Sequence, residues 1–210
     1  TLITPPDRAS NEIPFLIRLF EAGLDNLHLR KPGWTEGEIR RYLDRIPSGW
    51  HDRIVLHHHP AAAKAWGLRG AHVREGDFPD FDFTSLKVSA PVHGFGEILD
   101  LEGKRDYVLL SPVYDSLSKP DYAGRFSLPE CRTFFELYKG TLEVVALGGI
   151  DEGKIAPLAD AGFHGAAVLG ALWQALKREG IDAAFAKYQR LEAEAAACQR
   201  RPFLQRIRLK

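Results

Sequence analysis

The sequence predicts an α/β fold, a (β/α)8 TIM barrel, on three observations. Short β-prone apolar runs alternate eight times with helix-like stretches along the 210 residues. The strand runs are almost wholly apolar, as expected of parallel strands buried on both faces. The length suits one substantial domain and is short for two. A doubly wound open sheet is the architectural alternative, but eight consecutive units close naturally into a barrel, here near the compact end of its size range.

In order, Leu2-Ile3-Thr4 leads to a helix near residues 12–23, and Leu27-His28-Leu29-Arg30 to one near 35–46. Thr35 and Glu38 have the spacing of a capping box, in which each side chain satisfies the other's backbone N–H. The run from Arg53 to His57 precedes a short helix at Ala61–Trp66, while Gly70-Ala71-His72-Val73 precedes an irregular stretch. Lys87 to Ala90 precedes a helix near 95–103, and Asp106 to Ser111 a long loop and then a helix near 128–139. Glu143 to Leu147 leads to a helix near 151–162, and Gly165 to Leu169 into one long Ala-rich helix, about 173–198. The barrel unit is placed at 1–199, followed by a basic tail at 200–210 that begins Arg200-Arg201-Pro202.

Basic and acidic side chains balance at 28 each, so neither nucleic acid nor a membrane surface is the expected partner. No apolar run approaches the roughly 20 residues that cross a bilayer. The first residues, Thr1 to Pro6, lack the basic segment and apolar core of a secretory signal. The two cysteines, Cys131 and Cys198, fall in different predicted helices. A reduced, cytoplasmic setting is the expectation; homo-oligomerisation is left open.

Chemistry in such a barrel sits at the C-terminal strand ends. Those positions carry His28, Arg30 and Lys31, then His57-His58-His59, then Arg74, Glu75 and Asp77. His93 follows the fifth strand, and Ser111, Ser116, Ser118 and Lys119 the sixth. Cations, hydroxyls and glycines suit an anionic, phosphorylated ligand. Gly148-Gly149 and Leu169-Gly170 each precede a helix at adjacent strand ends. Without Cβ atoms there, phosphate oxygens can approach the backbone amides closely.

Four segments carry a family resemblance: Ala146 to Ile150, Ala161 to Val168, Gly70 to Val73, and Ser111-Pro112-Val113-Tyr114 through Lys119. They resemble the thiamine phosphate synthase superfamily, which also holds the thiazole tautomerases, and the likeness spans roughly residues 2–173. The resemblance implies that the glycine site holds the phosphate of a thiazole phosphate. It also implies coupling to a pyrimidine pyrophosphate, with release of pyrophosphate and with Mg²⁺ as cofactor.

The family's Gln-x-Arg-x-Lys run reads here His28-Leu29-Arg30-Lys31-Pro32, so Arg30 matches, with His28 and Lys31 as altered neighbours. Ser116-Leu117-Ser118-Lys119 keeps the hydroxyl, hydroxyl, ammonium order of its pyrophosphate clamp. Asp77 matches one metal carboxylate, whereas His58 stands at the other, and imidazole is a poor Mg²⁺ ligand. Three consecutive histidines can invite Zn²⁺, but neighbours on an extended chain point to opposite sides, so polar loop filling is the plainer reading. His93 sits where the tautomerases carry their acid–base histidine. The resemblance therefore implies a synthase first, a metal-independent tautomerase second, and a non-catalytic thiazole-phosphate binder third.

Overall fold

A computed structural model describes residues 1–115, 117 and 123–199, the last without its side chain. Eight parallel strands pair in sequence order: β1 Leu2–Ile3, β2 Leu27–Leu29, β3 Ile54–His57, β4 Gly70–His72, β5 Lys87–Val92, β6 Tyr107–Leu110, β7 Glu143–Leu147 and β8 Gly165–Ala167. The last meets the first through the parallel bridge of Leu2 with Val168. Ile3 N–H donates to the Val168 carbonyl at 3.0 Å and Val168 N–H to the Thr1 carbonyl at 2.9 Å. The predicted barrel is what forms.

Around it lie α1 Glu12–Glu21, α2 Glu36–Leu43, α3 Pro60–Ala65, α4 Phe95–Asp100, α5 Leu128–Leu137, α6 Ile155–Ala161, α7 Gly170–Glu179 and α8 Ile181–Gln199. The Thr35–Glu38 capping box is present at α2. A second one, Ser127 with Glu130, starts α5. As expected, the stretch after β4 is irregular, with Phe78 and Ser85 at positive φ.

One expectation is corrected. The single helix over 173–198 is two helices, broken at Gly180, whose φ of 92° ends α7 in a conformation that costs glycine little. That break folds α8 back onto α7, α6 and α1. The tail at 200–210 lies outside the described residues.

Two cores result. Phe15, Leu16, Leu19, Ile54, Leu56, Val108, Val144 and many others fill the space between strands and helices. Inside the barrel a smaller cluster of Ile3, Tyr107, Leu109, Val145 and Ala167 comes from alternate strand positions. The interior also takes polar side chains. His28, His72 and Ser89 are buried there on β2, β4 and β5.

Candidate active site

At the C-terminal strand ends a cleft of about 350 Å³ opens. Its apolar floor includes Ile3, Leu109, Leu147 and Ala167. Arg30 and Arg74 bring positive charge to its wall, and His58 and His93 add imidazoles. Gly148, Gly149, Ile150 and Gly170 line the same cleft.

A larger cavity, about 730 Å³, lies at the other end of the barrel, among Asn26, Arg69, Lys87 and Glu143. Its cations are already neutralised: Arg69 pairs with Asp25 and Lys87 with Asp106. It offers an anion little, and barrel chemistry belongs at the opposite end.

The glycine wall is shaped by backbone crowding. Gly148 and Gly149 have φ of 109° and 61°, left-handed values that cost other residues about 1–2 kcal/mol each. A Cβ on Gly149 would fall 2.1 Å from the Asp115 carbonyl oxygen, and one on Gly148 would fall 2.9 Å from Cα of Pro112. The loop after β6 is laced onto this turn by Val113 N–H to the Leu147 carbonyl at 2.9 Å and Tyr114 N–H to the Gly148 carbonyl at 3.2 Å. Next door, Leu169 caps α7 without a side-chain hydrogen bond, so the first-turn amides from Gly170 onward have no side-chain cap among the described residues. Trp173 fixes that helix start, its indole N–H donating to the Ile3 carbonyl at 2.7 Å. Uncapped amides at a helix start, beside a glycine turn, form an anion site.

Arg30 follows β2, its N–H bonded to Thr4 Oγ1 at 2.8 Å. Neither Arg30 nor Arg74 pairs with a carboxylate among the described residues, so both charges are available to a ligand. His93 Nδ1 lies 2.9 Å from the Ser111 carbonyl oxygen. A carbonyl only accepts, so Nδ1 carries a proton, and in the neutral ring the lone pair is on Nε2. His58 is held below its ordinary pKa by partial burial and by Arg30, against the opposing pull of Asp77. Asp77 itself is exposed in the turn after β4, its N–H on the Arg74 carbonyl at 3.3 Å.

Two sequence-predicted ligand residues lie elsewhere. Lys31 is buried, and its ammonium binds Glu12 and the carbonyls of Pro5 and Asp7. It braces the loops after β1 and β2 and does not line the cleft. His28 points into the barrel with no exposed surface. Ser116, Ser118 and Lys119 fall outside the described residues.

Sequence reasoning missed the layer beneath the cleft. His28 Nδ1 is 3.0 Å from His57 Nε2, and His28 Nε2 is 2.6 Å from Tyr107 Oη. His72 Nδ1 is 2.9 Å from Ser89 Oγ. His57 and His72 both reach the cleft floor. The signal was one histidine near the end of each of three successive strands.

Fold and site together define a TIM-barrel protein whose cleft at the C-terminal strand ends brings cationic side chains and a glycine-rich wall together. Comparison with known proteins narrows that class. The family model described as thiamine monophosphate synthase matches residues 1–172, and the chain belongs to that family. The chain is 36% identical over 179 residues to a thiamine-phosphate synthase of Latilactobacillus sakei, covering 79% of each. It is 31% identical to a solved thiamine phosphate pyrophosphorylase of Bacteroides thetaiotaomicron, with a TM-score of 0.78 and coverage of 93% and 96%. A Pyrococcus furiosus thiamine phosphate pyrophosphorylase, 20% identical, shares the fold at a TM-score of 0.71 over 92% and 95% of the two chains.

Proposed function

We propose that the chain is a thiamine phosphate synthase, a transferase joining a pyrimidine pyrophosphate to a thiazole phosphate. The observation that carries this reading is one cleft that joins a glycine-rich wall to Arg30 and Arg74, neither of which pairs with a carboxylate among the described residues. Two phosphorylated substrates need two anion sites, and family membership names the substrates.

In this reading the amides around Gly148, Gly149 and Gly170, with Leu169 setting the turn, hold the thiazole phosphate. Arg30 faces the pyrophosphate, joined by Ser116, Ser118 and Lys119 as the family's clamp. The carbon–oxygen bond to pyrophosphate breaks, its electron pair leaves with the pyrophosphate, and the thiazole closes on the freed carbon. Negative charge grows on the leaving group, and a guanidinium placed there stabilises the transition state more than the ground state. The apolar floor keeps water from the electron-poor carbon.

The donors do not match a dedicated Mg²⁺ cage. Asp77 is one exposed carboxylate, and His58 offers nitrogen where the ion prefers oxygen. Charge compensation in this chain is therefore assigned to its cationic side chains.

Incubation of the purified chain with hydroxymethylpyrimidine pyrophosphate and thiazole phosphate, with and without Mg²⁺, should yield thiamine phosphate and pyrophosphate. No product under saturating substrates removes the synthase reading. One observation favours a second reading: His93 lines the cleft with Nδ1 held by the Ser111 carbonyl, and the neutral ring then presents Nε2 as a base suited to thiazole tautomerisation. Full tautomerisation by a His93→Ala variant excludes that role. A chain that binds thiazole phosphate but turns over in neither assay is the non-catalytic binder.

A further inference from the structure

We propose that this chain binds one borderline divalent cation of the Zn²⁺ type on His28, His57 and His72, with a fourth coordination position open to the cleft. The barrel register creates the site. His57 and His72 stand directly opposite each other on β3 and β4. His28 is paired with Val55, two residues before His57, so both histidines point to the barrel interior. One ring nitrogen of each lies within 4.8 Å of the other two. Three imidazoles on a tetrahedral Zn²⁺ at 2.0–2.1 Å have nitrogens roughly 3.3 Å apart. The closest pair here is already at 3.0 Å, so modest ring rotations close the shell.

Two of the three rings have the outer contact that ligating histidines require. Each ligand's second nitrogen is normally held by a hydrogen bond that fixes tautomer and direction. Tyr107 Oη holds His28 Nε2 and Ser89 Oγ holds His72 Nδ1, which turns His28 Nδ1 and His72 Nε2 toward the common point. Hydrogen bonding alone accounts for His28, since both its nitrogens are engaged. It does not account for His72, whose Nε2 has no hydrogen-bond partner among the described residues. All three rings are buried, which disfavours their charged forms.

The donor set selects the ion. Three nitrogens and no carboxylate suit Zn²⁺, Co²⁺ or Ni²⁺ and reject Mg²⁺. His57 and His72 line the cleft floor, which supplies an entry path and leaves the fourth position for water or a ligand atom. Three protein donors plus one open position is the pattern of an accessible zinc site. It lies below the exposed His58–Asp77 pair and uses neither residue. Cation binding is measured without turnover and so stands apart from the synthase reading.

The test is calorimetric titration of the metal-stripped full chain with Zn²⁺ in excess Mg²⁺, alongside the visible absorption of the Co²⁺ form. We expect one Zn²⁺ per chain, undisturbed by Mg²⁺, and a strongly absorbing four-coordinate Co²⁺ spectrum. His72→Ala should weaken binding by more than about 100-fold. Tyr107→Phe, which keeps every ligand, should weaken it about 10–100-fold, and His59→Ala should leave it unchanged. Absence of stoichiometric binding, a weak six-coordinate Co²⁺ spectrum, or unchanged affinity in His72→Ala overturns the proposal. Should His72→Ala fail to fold, the wild-type stoichiometry and the Co²⁺ spectrum decide it.

Discussion

The ammonium of Lys31 lies 2.7 Å from Oε1 of Glu12, with both side chains almost fully buried. Tyr42 donates its hydroxyl to the same Oε1 at 2.7 Å, and Ala9 N–H reaches Oε2 at 3.1 Å. Glu12 opens α1 and Lys31 follows β2, so the pair ties the first two active-end loops together and steadies Arg30 beside it. Removing one partner of such a pair leaves a buried, uncompensated charge. Glu12→Gln should therefore lower unfolding free energy by about 3–5 kcal/mol in urea titration. Lys31→Met combined with Glu12→Leu should cost less than either single change. Lys31→Met should keep substrate affinity in whatever fraction stays folded; a normally folded variant that loses pyrophosphate binding would return Lys31 to the ligand set.

Gly149 tests the anion wall. Alanine there meets the Asp115 carbonyl oxygen at 2.1 Å and a φ of 61°. The left-handed conformation alone costs about 1–2 kcal/mol, and the contact forces the Pro112–Asp115 segment outward. Gly149→Ala should lower the melting temperature and weaken thiazole phosphate binding together. Gly153→Ala, also at positive φ but with no atom within 4 Å of its added Cβ, should show a stability loss without the binding loss. Equal binding defects in both would mean that the wall is not the phosphate site.

The barrel was legible because its signal is repetitive: eight apolar runs, each followed by a helical stretch, leave few architectures. The Thr35–Glu38 box was legible because capping chemistry is local. The break at Gly180 was not, since a glycine inside a helical pattern is tolerated often enough to pass. Directions were harder still. Sequence puts Lys31 beside Arg30, but only the fold shows that one turns to Glu12 and the other to the cleft. His28, His57 and His72 lie on three strands, and their meeting depends on register, which no local pattern states. The Gly148-Gly149 turn was legible as a backbone feature because close approach to backbone demands glycine wherever it occurs.

Acid sensitivity should trace in part to Glu102. Its carboxylate accepts from the hydroxyl of Tyr138, from the N–H and hydroxyl of Thr141 at 2.8 and 2.9 Å, and from Leu142 N–H at 3.2 Å. These bonds, Tyr138 first, hold its pKa down at about 2. The folded state thus binds this proton less readily than the unfolded chain. The stabilisation is full above the ordinary glutamate range near 4.5 and is lost as pH falls toward 2. Glu102 is partly exposed, so solvent screens the effect. Melting curves should show wild type above Glu102→Gln at pH 6, with the gap narrowing steadily below pH 4.5. A gap independent of pH would assign the role of Glu102 to shape alone.

Arg30 separates charge compensation from simple adhesion. If the guanidinium acts mainly on the departing pyrophosphate, Arg30→Ala should lower kcat about 10²–10³-fold, the range for losing one preorganised stabiliser of transition-state charge. Arg30→Lys keeps the charge but not the planar fork that grips phosphate bidentately, and should recover only part of that loss. Inorganic pyrophosphate should inhibit both variants less than wild type, because product and leaving group share the site. Thiazole phosphate should bind all three alike, since in this reading the glycine wall holds its phosphate. A fall in thiazole phosphate affinity with kcat preserved would reverse the assignment of the two anion sites. Arg30 would then belong with the glycines, and Arg74 and the loop after β6 would be left to receive the pyrophosphate.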